Sequence, residues 1–278
     1  MAAWTIARLT FREAARRRIL LAALLLGVLF LVIYGLGLYF IRQEELRNPI
    51  TLQAGRSEIY NFLFMAGMYV VNFLSVMMAV LTSVDTLSGE IATGTVHTIV
   101  SKPIYRWQVV LGKWLGFAVM LSLYLGLMGG GVTLLVAWIG EYSPPNLPGG
   151  LSLVWLNGLL MLSVSLMGGT LLSTLANGVL VFGLFGVAFV GGWVEQFGSL
   201  VRNQSAVNIG ILSSLIMPSE ALWRRAAFEM RSPLVSALGF SPFTSGNSVP
   251  SQAMIVYAGL YILAAMAVAV WAFGRRDL

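Results

Sequence analysis

The chain has no cysteine and a single histidine, His97. Without thiols it can form neither a disulfide framework nor a thiolate metal site, so cysteine usage is silent about its redox compartment. One histidine cannot supply the HExxH pair of a zinc protease, and no G-x-S-x-G lies near it to build a serine hydrolase. Charge is also scarce, at 10% of residues against roughly 25% in an average soluble domain. Only two lysines occur, Lys102 and Lys113, and Gly112-Lys113 is followed by Trp114 where a phosphate-binding loop needs Ser or Thr. No nucleotide is held here by that motif.

What fills the chain instead is apolar: 58% of its 278 residues are hydrophobic, which excludes a single water-soluble core and predicts an all-α, polytopic membrane protein. The net charge of +6 does not point to nucleic acid, because the basic residues flank apolar runs rather than cover a polar domain.

At the N-terminus, Arg8, Arg12 and Arg16 recur every four residues while Trp4, Ala7, Phe11 and Ala14 or Ala15 follow another face. This is the pattern of an amphipathic helix along a membrane surface, over residues 1–18; a basic flank that merely orients the first span gives the same signal. Residues 19–41 then form 23 uncharged positions, enough at ~1.5 Å each to cross a ~30 Å hydrocarbon core and longer than the apolar part of a signal peptide. Further spans are predicted over 59–84, 109–139 (apolar from Trp114), 151–176, 179–194 and 252–273, six in all. The last boundary between neighbours is placed at Asn177 and Gly178, within 44 uncharged residues. Residues 195–251, interrupted by four prolines, form a polar-containing external segment. Within it Leu222, Trp223, Ala226, Ala227 and Met230 oppose Glu220, Arg224, Arg225 and Glu229, which predicts a second surface-lying helix with Glu220–Arg224 and Arg225–Glu229 pairs.

Polar residues inside the spans are Asn, Ser and Thr. Asn61, Asn72, Ser75 and Thr82 fall near one helical face, and Asn157 and Ser165 belong to a later span. Such residues either hydrogen-bond between helices or line a path. Gly126 and Gly130 have the small-xxx-small spacing that permits close helix packing.

Orientation follows from the basic residues. With both termini cytoplasmic, the inner side carries ten basic and four acidic residues and the outer side seven of each. The segment 85–108 is then cytoplasmic. Were 151–194 a single span, 195–251 would instead lie inside.

The run SGEIATGTVHTIVSKPIYRWQVVLGKWLG, together with the N-terminal IARLTFREAARRRIL and six spans, resembles the permease subunits of the type-2 ABC transporter class, which includes nitrous-oxide-reductase maturation and sodium-export permeases. The resemblance makes residues 1–278 one transmembrane permease domain of the plasma membrane. It implies that the 85–108 loop docks a separate ABC ATPase, with Glu90, Gly94, Lys102, Pro103, Arg106 and Lys113 matching the family's loop pattern; a short transverse helix over 91–100 would offer Val96 and Ile99 to a groove on that partner. The N-terminal helix would contribute Trp4, Arg8, Phe11, Arg12 and Arg16. ATP and Mg would be bound by that ATPase, with no cofactor in this chain; the other partners would be a second permease copy or paralogue and membrane lipid. Independently, Pro103 suits the first turn of a helix continuing through Lys113 into the third span, with the Lys113 ammonium reaching the headgroups. The alternative is an integral membrane scaffold or assembly factor that needs no ATPase; a membrane-embedded enzyme is disfavoured by spans that hold so few ionisable groups.

Overall fold

A computed structural model describes residues 2–47, 53–92, 105–232 and 249–275. In chain order these form α1 (Ala2–Arg16), α2 (Arg18–Arg47), α3 (Gln53–Ser83), α4 (Thr86–Ala92), α5 (Arg106–Gly140), α6 (Leu147–Leu171), α7 (Thr174–Leu200), α8 (Gln204–Ile216), α9 (Ser219–Met230) and α10 (Gln252–Arg275). There is no strand among the described residues. Six helices, α2, α3, α5, α6, α7 and α10, are long and apolar enough to cross a membrane. In hydrocarbon a helix satisfies its own backbone, which is why an apolar chain settles into this class.

The spans differ in what they face. Of the most apolar stretch of α6, 72% is buried, and α6 packs against α3, α5, α9 and α10. Leu160, Met161, Leu162 and Val164 of α6 meet a core that includes Phe64, Met68 and Val71 of α3 and Phe273 of α10. By contrast α2 buries only 11% of its apolar stretch and stands at the edge, tethered where Tyr124 Oη donates to Ala23 O (3.2 Å) and Tyr34 Oη to Leu63 O (2.9 Å). With 35 residues, α5 is about 52 Å long, so it outreaches the hydrocarbon core and projects beyond it.

The boundary inside the long apolar run is not at Asn177. It falls at Leu172 and Ser173, both extended, and α7 begins at Thr174. Asn177 is instead fully buried in the first turn of α7, where its amide donates to Val84 O and Ser165 O at 2.9 Å each. An amide that bridges two helices is worth more inside the bundle than in a turn.

The segment after α7 also departs from expectation. The α8 and α9 helices meet at a 103° bend across Met217 and Pro218 and together have the length and apolar composition of a broken span or re-entrant hairpin. The apolar face of α9 is buried, with Leu222, Ala226, Ala227 and Met230 inaccessible and Trp223 edge-on to Tyr69 at 5.2 Å. Its polar face is enclosed too: Glu220 and Arg224 are buried. The Arg225–Glu229 bridge forms at 2.6 Å, but Arg224 pairs across the fold with Glu195 at 2.7 Å rather than with Glu220. That neutralisation lets α7 run past Val194 to Leu200 with a carboxylate inside it.

Candidate coupling site at the end carrying both termini

Four segments converge at one end of the bundle. The first is α1, which lies against α5 because two glycines admit it: a Cβ on Gly112 would sit 2.7 Å from Ile6 Cβ and 2.8 Å from Ala3 O, and one on Gly116 2.7 Å from Ala7 O. Ala7, Thr10 and Ala14 are buried in this contact and Phe11 is half-buried, whereas Trp4, Arg8, Arg12 and Arg16 are exposed. The expected lipid face, Trp4-Ala7-Phe11-Ala14, is thus divided, its small residues going to α5. Gly126 and Gly130, where close packing was expected, have nothing within 4 Å of an added Cβ.

The second segment is α4, which prolongs α3 after a two-residue turn. Asp85, in that turn, accepts from Arg17 Nη1 at 3.0 Å, and Arg17 Nη2 donates to Glu13 at 2.7 Å. Burial opposes the charge of Arg17, but the two carboxylates hold its guanidinium above its ordinary value. Glu90 of α4 accepts from Lys113 Nζ of α5. Lys113 is 3% exposed, so its ammonium does not extend to headgroups; the carboxylate offered by α4 draws it into the fold. Ser88 and Thr174 hydroxyls lie 2.8 Å apart, fixing α4 to the start of α7.

The third and fourth segments meet at Arg106. Its Nη1 donates to Gly274 O (3.1 Å) and Phe273 O (3.4 Å), so the start of α5 caps the end of α10. A cation there satisfies carbonyls that a helix terminus leaves open. Arg17–Asp85, Glu90–Lys113 and Arg106 with α10 therefore tie α1, α3, α4, α5 and α10 into one assembly. Of the residues expected to dock a partner, Glu90 and Arg106 are placed there, both in intramolecular contacts; Gly94, Val96, Ile99, Lys102 and Pro103 lie outside the described residues, as does His97.

The polar residues within the spans find each other. Asn157 Nδ2 donates to Asn72 Oδ1 (2.9 Å), Ser83 and Ser165 hydroxyls are 2.8 Å apart, and Asn61 Nδ2 donates to Tyr142 Oη (2.7 Å). Thr82 returns its hydroxyl to Met78 O. Ser75 Oγ and Asn157 Oδ1 are buried with no partner among the described residues. Asn72–Asn157 and Ser83–Ser165 thus join α3 to α6, and Asn61 joins α3 to the connection after α5.

At the opposite end Arg42, Glu45, Arg56 and Glu141 form a closed ring of ion pairs of 2.7–3.2 Å, with Tyr60 Oη donating to Glu45 at 2.9 Å. This ring joins α2, α3 and the residue after α5. An apolar cleft of about 610 Å³ between α7 and α8 is lined by Phe189, Trp193, Phe197 and Val201, and its one polar residue, Asn203, caps α8 with its side chain. It offers nothing for a charged cargo.

Sequence reasoning missed the Glu195–Arg224 pair and the destination of Lys113. Glu195 is the first charge after Glu141, and its position at the end of a long uncharged run signals the end of a span rather than a buried acid awaiting a base.

The model of the family described as ABC-2 family transporter protein matches residues 4–278. The chain belongs to that family and is a polytopic membrane component of the ABC transporter class. A similar protein is the probable ABC transporter permease protein NosY of Stutzerimonas stutzeri, 30% identical over 172 residues. That alignment covers 61% of this chain and 56% of the relative, so the chain spans little more than half the length of the curated protein it matches.

Proposed function

We propose that the chain is the membrane-spanning permease subunit of an ABC transporter in the plasma membrane, non-catalytic itself and driven by ATP hydrolysed with Mg on a separate ATPase subunit. The observation that carries this reading is the mechanical continuity of one end of the bundle. The segment that follows α4 connects a helix locked to α5 by Glu90–Lys113 with the start of α5 itself. A load applied to residues 85–108 is delivered to a rod of about 52 Å that runs the depth of the membrane. The same end carries α1 and the end of α10, and the excess of basic residues at that end supports a cytoplasmic position for both termini. An ATPase docked on residues 90–106 would thereby move α1, α4 and α5 together, in a complex with a second permease copy or paralogue.

The test is affinity purification of the full chain from its native membranes with residues 93–102 replaced by a Gly/Ser linker. The expected result is normal insertion with loss of the co-purifying ATPase. Retention of an ATPase by the linker variant would remove the loop from the interface, and its absence from the unaltered chain would favour a scaffold.

A further inference from the structure

Among the described residues, the arginines on the outer face of α1 pair with no acid. At roughly 100° per residue, Arg8, Arg12 and Arg16 form a stripe opposite the one, Ala3-Ala7-Thr10-Ala14, that packs on α5. All three are exposed, as is Arg18 at the start of α2. The described acids at this end are already engaged: Glu13 and Asp85 with Arg17, Glu90 with Lys113. No ion pair to Arg8, Arg12, Arg16 or Arg18 exists among the described residues. The stripe is bordered by exposed Trp4 (71%) and Leu9 (60%), an aromatic and an aliphatic side chain of the kind that seats a helix at a membrane interface. It continues directly into α2, whose Ile19, Leu21 and Leu25 are exposed on a span that buries little of its apolar stretch.

We infer that Arg8, Arg12 and Arg16 form a binding surface for anionic phospholipid headgroups, with Trp4 and Leu9 inserted beside them. The occupant is chosen by this combination of unneutralised positive charge, flanking apolar side chains and continuity with a lipid-facing span; a phosphatidylcholine headgroup offsets its phosphate with its own quaternary ammonium, so a headgroup with net negative charge is favoured. Because α1 is seated on Gly112 and Gly116 of α5 and pinned by Arg17 to Asp85, lipid bound here holds the very helix that flanks the Glu90–Lys113 lock. The surface and its ligand stand whether or not an ATPase docks on the neighbouring loop.

The purified full chain is examined by native mass spectrometry with equimolar phosphatidylglycerol and phosphatidylcholine. Wild type is expected to retain phosphatidylglycerol preferentially, and each arginine changed to glutamine to lower that preference roughly fivefold, on the order of a hundredfold for the triple variant. The triple Arg→Lys variant keeps the positive charge and is expected to keep most of the preference. Single Arg12→Gln provides the graded effect if the triple variant is poorly produced. Wild-type preference in the triple glutamine variant overturns the assignment. So does a triple variant that keeps its lipids yet loses a co-purifying ATPase, which would give the face to a protein.

Discussion

Glu90 and Lys113 are buried unequally, and that inequality sets a direction for what their loss should do. The Lys113 side chain is 4% exposed and the Glu90 side chain 17%. Removing one partner of a buried pair strands the other, at about 3–5 kcal/mol where the stranded charge is wholly enclosed. Glu90→Gln strands the better-buried ammonium, which must stay charged in the bundle or give up its proton; about 3 kcal/mol is expected. Lys113→Met takes the lysine from a carboxylate that water can reach, and its methylenes are replaced by a side chain of similar volume, so about 1–2 kcal/mol is expected after discounting for that access. The double variant should cost less than the sum of the two by at least about 1 kcal/mol, since it leaves no orphaned charge. Unfolding in graded sodium dodecyl sulfate, followed by tryptophan fluorescence, measures all three on the detergent-solubilised chain. A Lys113→Met variant less stable than Glu90→Gln, or strictly additive effects, would refute the picture of Lys113 as the enclosed member of a coupled pair.

Three further outcomes follow from the packing. Gly116→Leu places its first carbon 2.7 Å from Ala7 O and should lift α1 from α5, read as faster proteolysis after Arg12 or Arg16 and a loss of about 1–3 kcal/mol, whereas Gly126→Ala, in open space, should be neutral or slightly stabilising. Glu195→Gln takes from Arg224 its ion-paired carboxylate, leaves Glu220 as the acid beside it and should cost about 3 kcal/mol, partly recovered by the additional change Arg224→Met, as read by the same unfolding assay. Asn72→Leu and Asn157→Leu should each cost about 0.5–2 kcal/mol, with the double variant close to the milder single one, because both ends of a buried hydrogen bond are then apolar.

The spans were legible because length and hydropathy decide them: an uncharged run of 23 residues before Arg42 has no alternative to crossing a membrane. Much less of the site was. Lys113 reads locally as one more basic residue at a membrane edge, and only the return of α4 against α5 shows that it faces Glu90. Small-residue spacing marks both Gly112/Gly116 and Gly126/Gly130, and nothing in the spacing says which pair another helix will approach. Asn177 followed by glycine has the local preference of a turn, overridden by two carbonyls that its amide meets in the fold. Arg224 has an acid four residues before it, yet its partner is Glu195, 29 residues away, because the bend at Pro218 folds α9 back onto α7. Each miss is a pairing between segments distant in sequence, where local propensity carries no information.

The absence of cysteine makes the central claim directly measurable, since any introduced thiol is unique in the chain. Val96→Cys, in the proposed docking segment, and Trp138→Cys, 86% exposed at the opposite end of α5, are each treated with a thiol-to-amine crosslinker in native membranes and the captured protein is identified. The account predicts an ATP-binding subunit joined at Val96 and none at Trp138. Capture of that subunit at Trp138, or its absence at Val96, would contradict it.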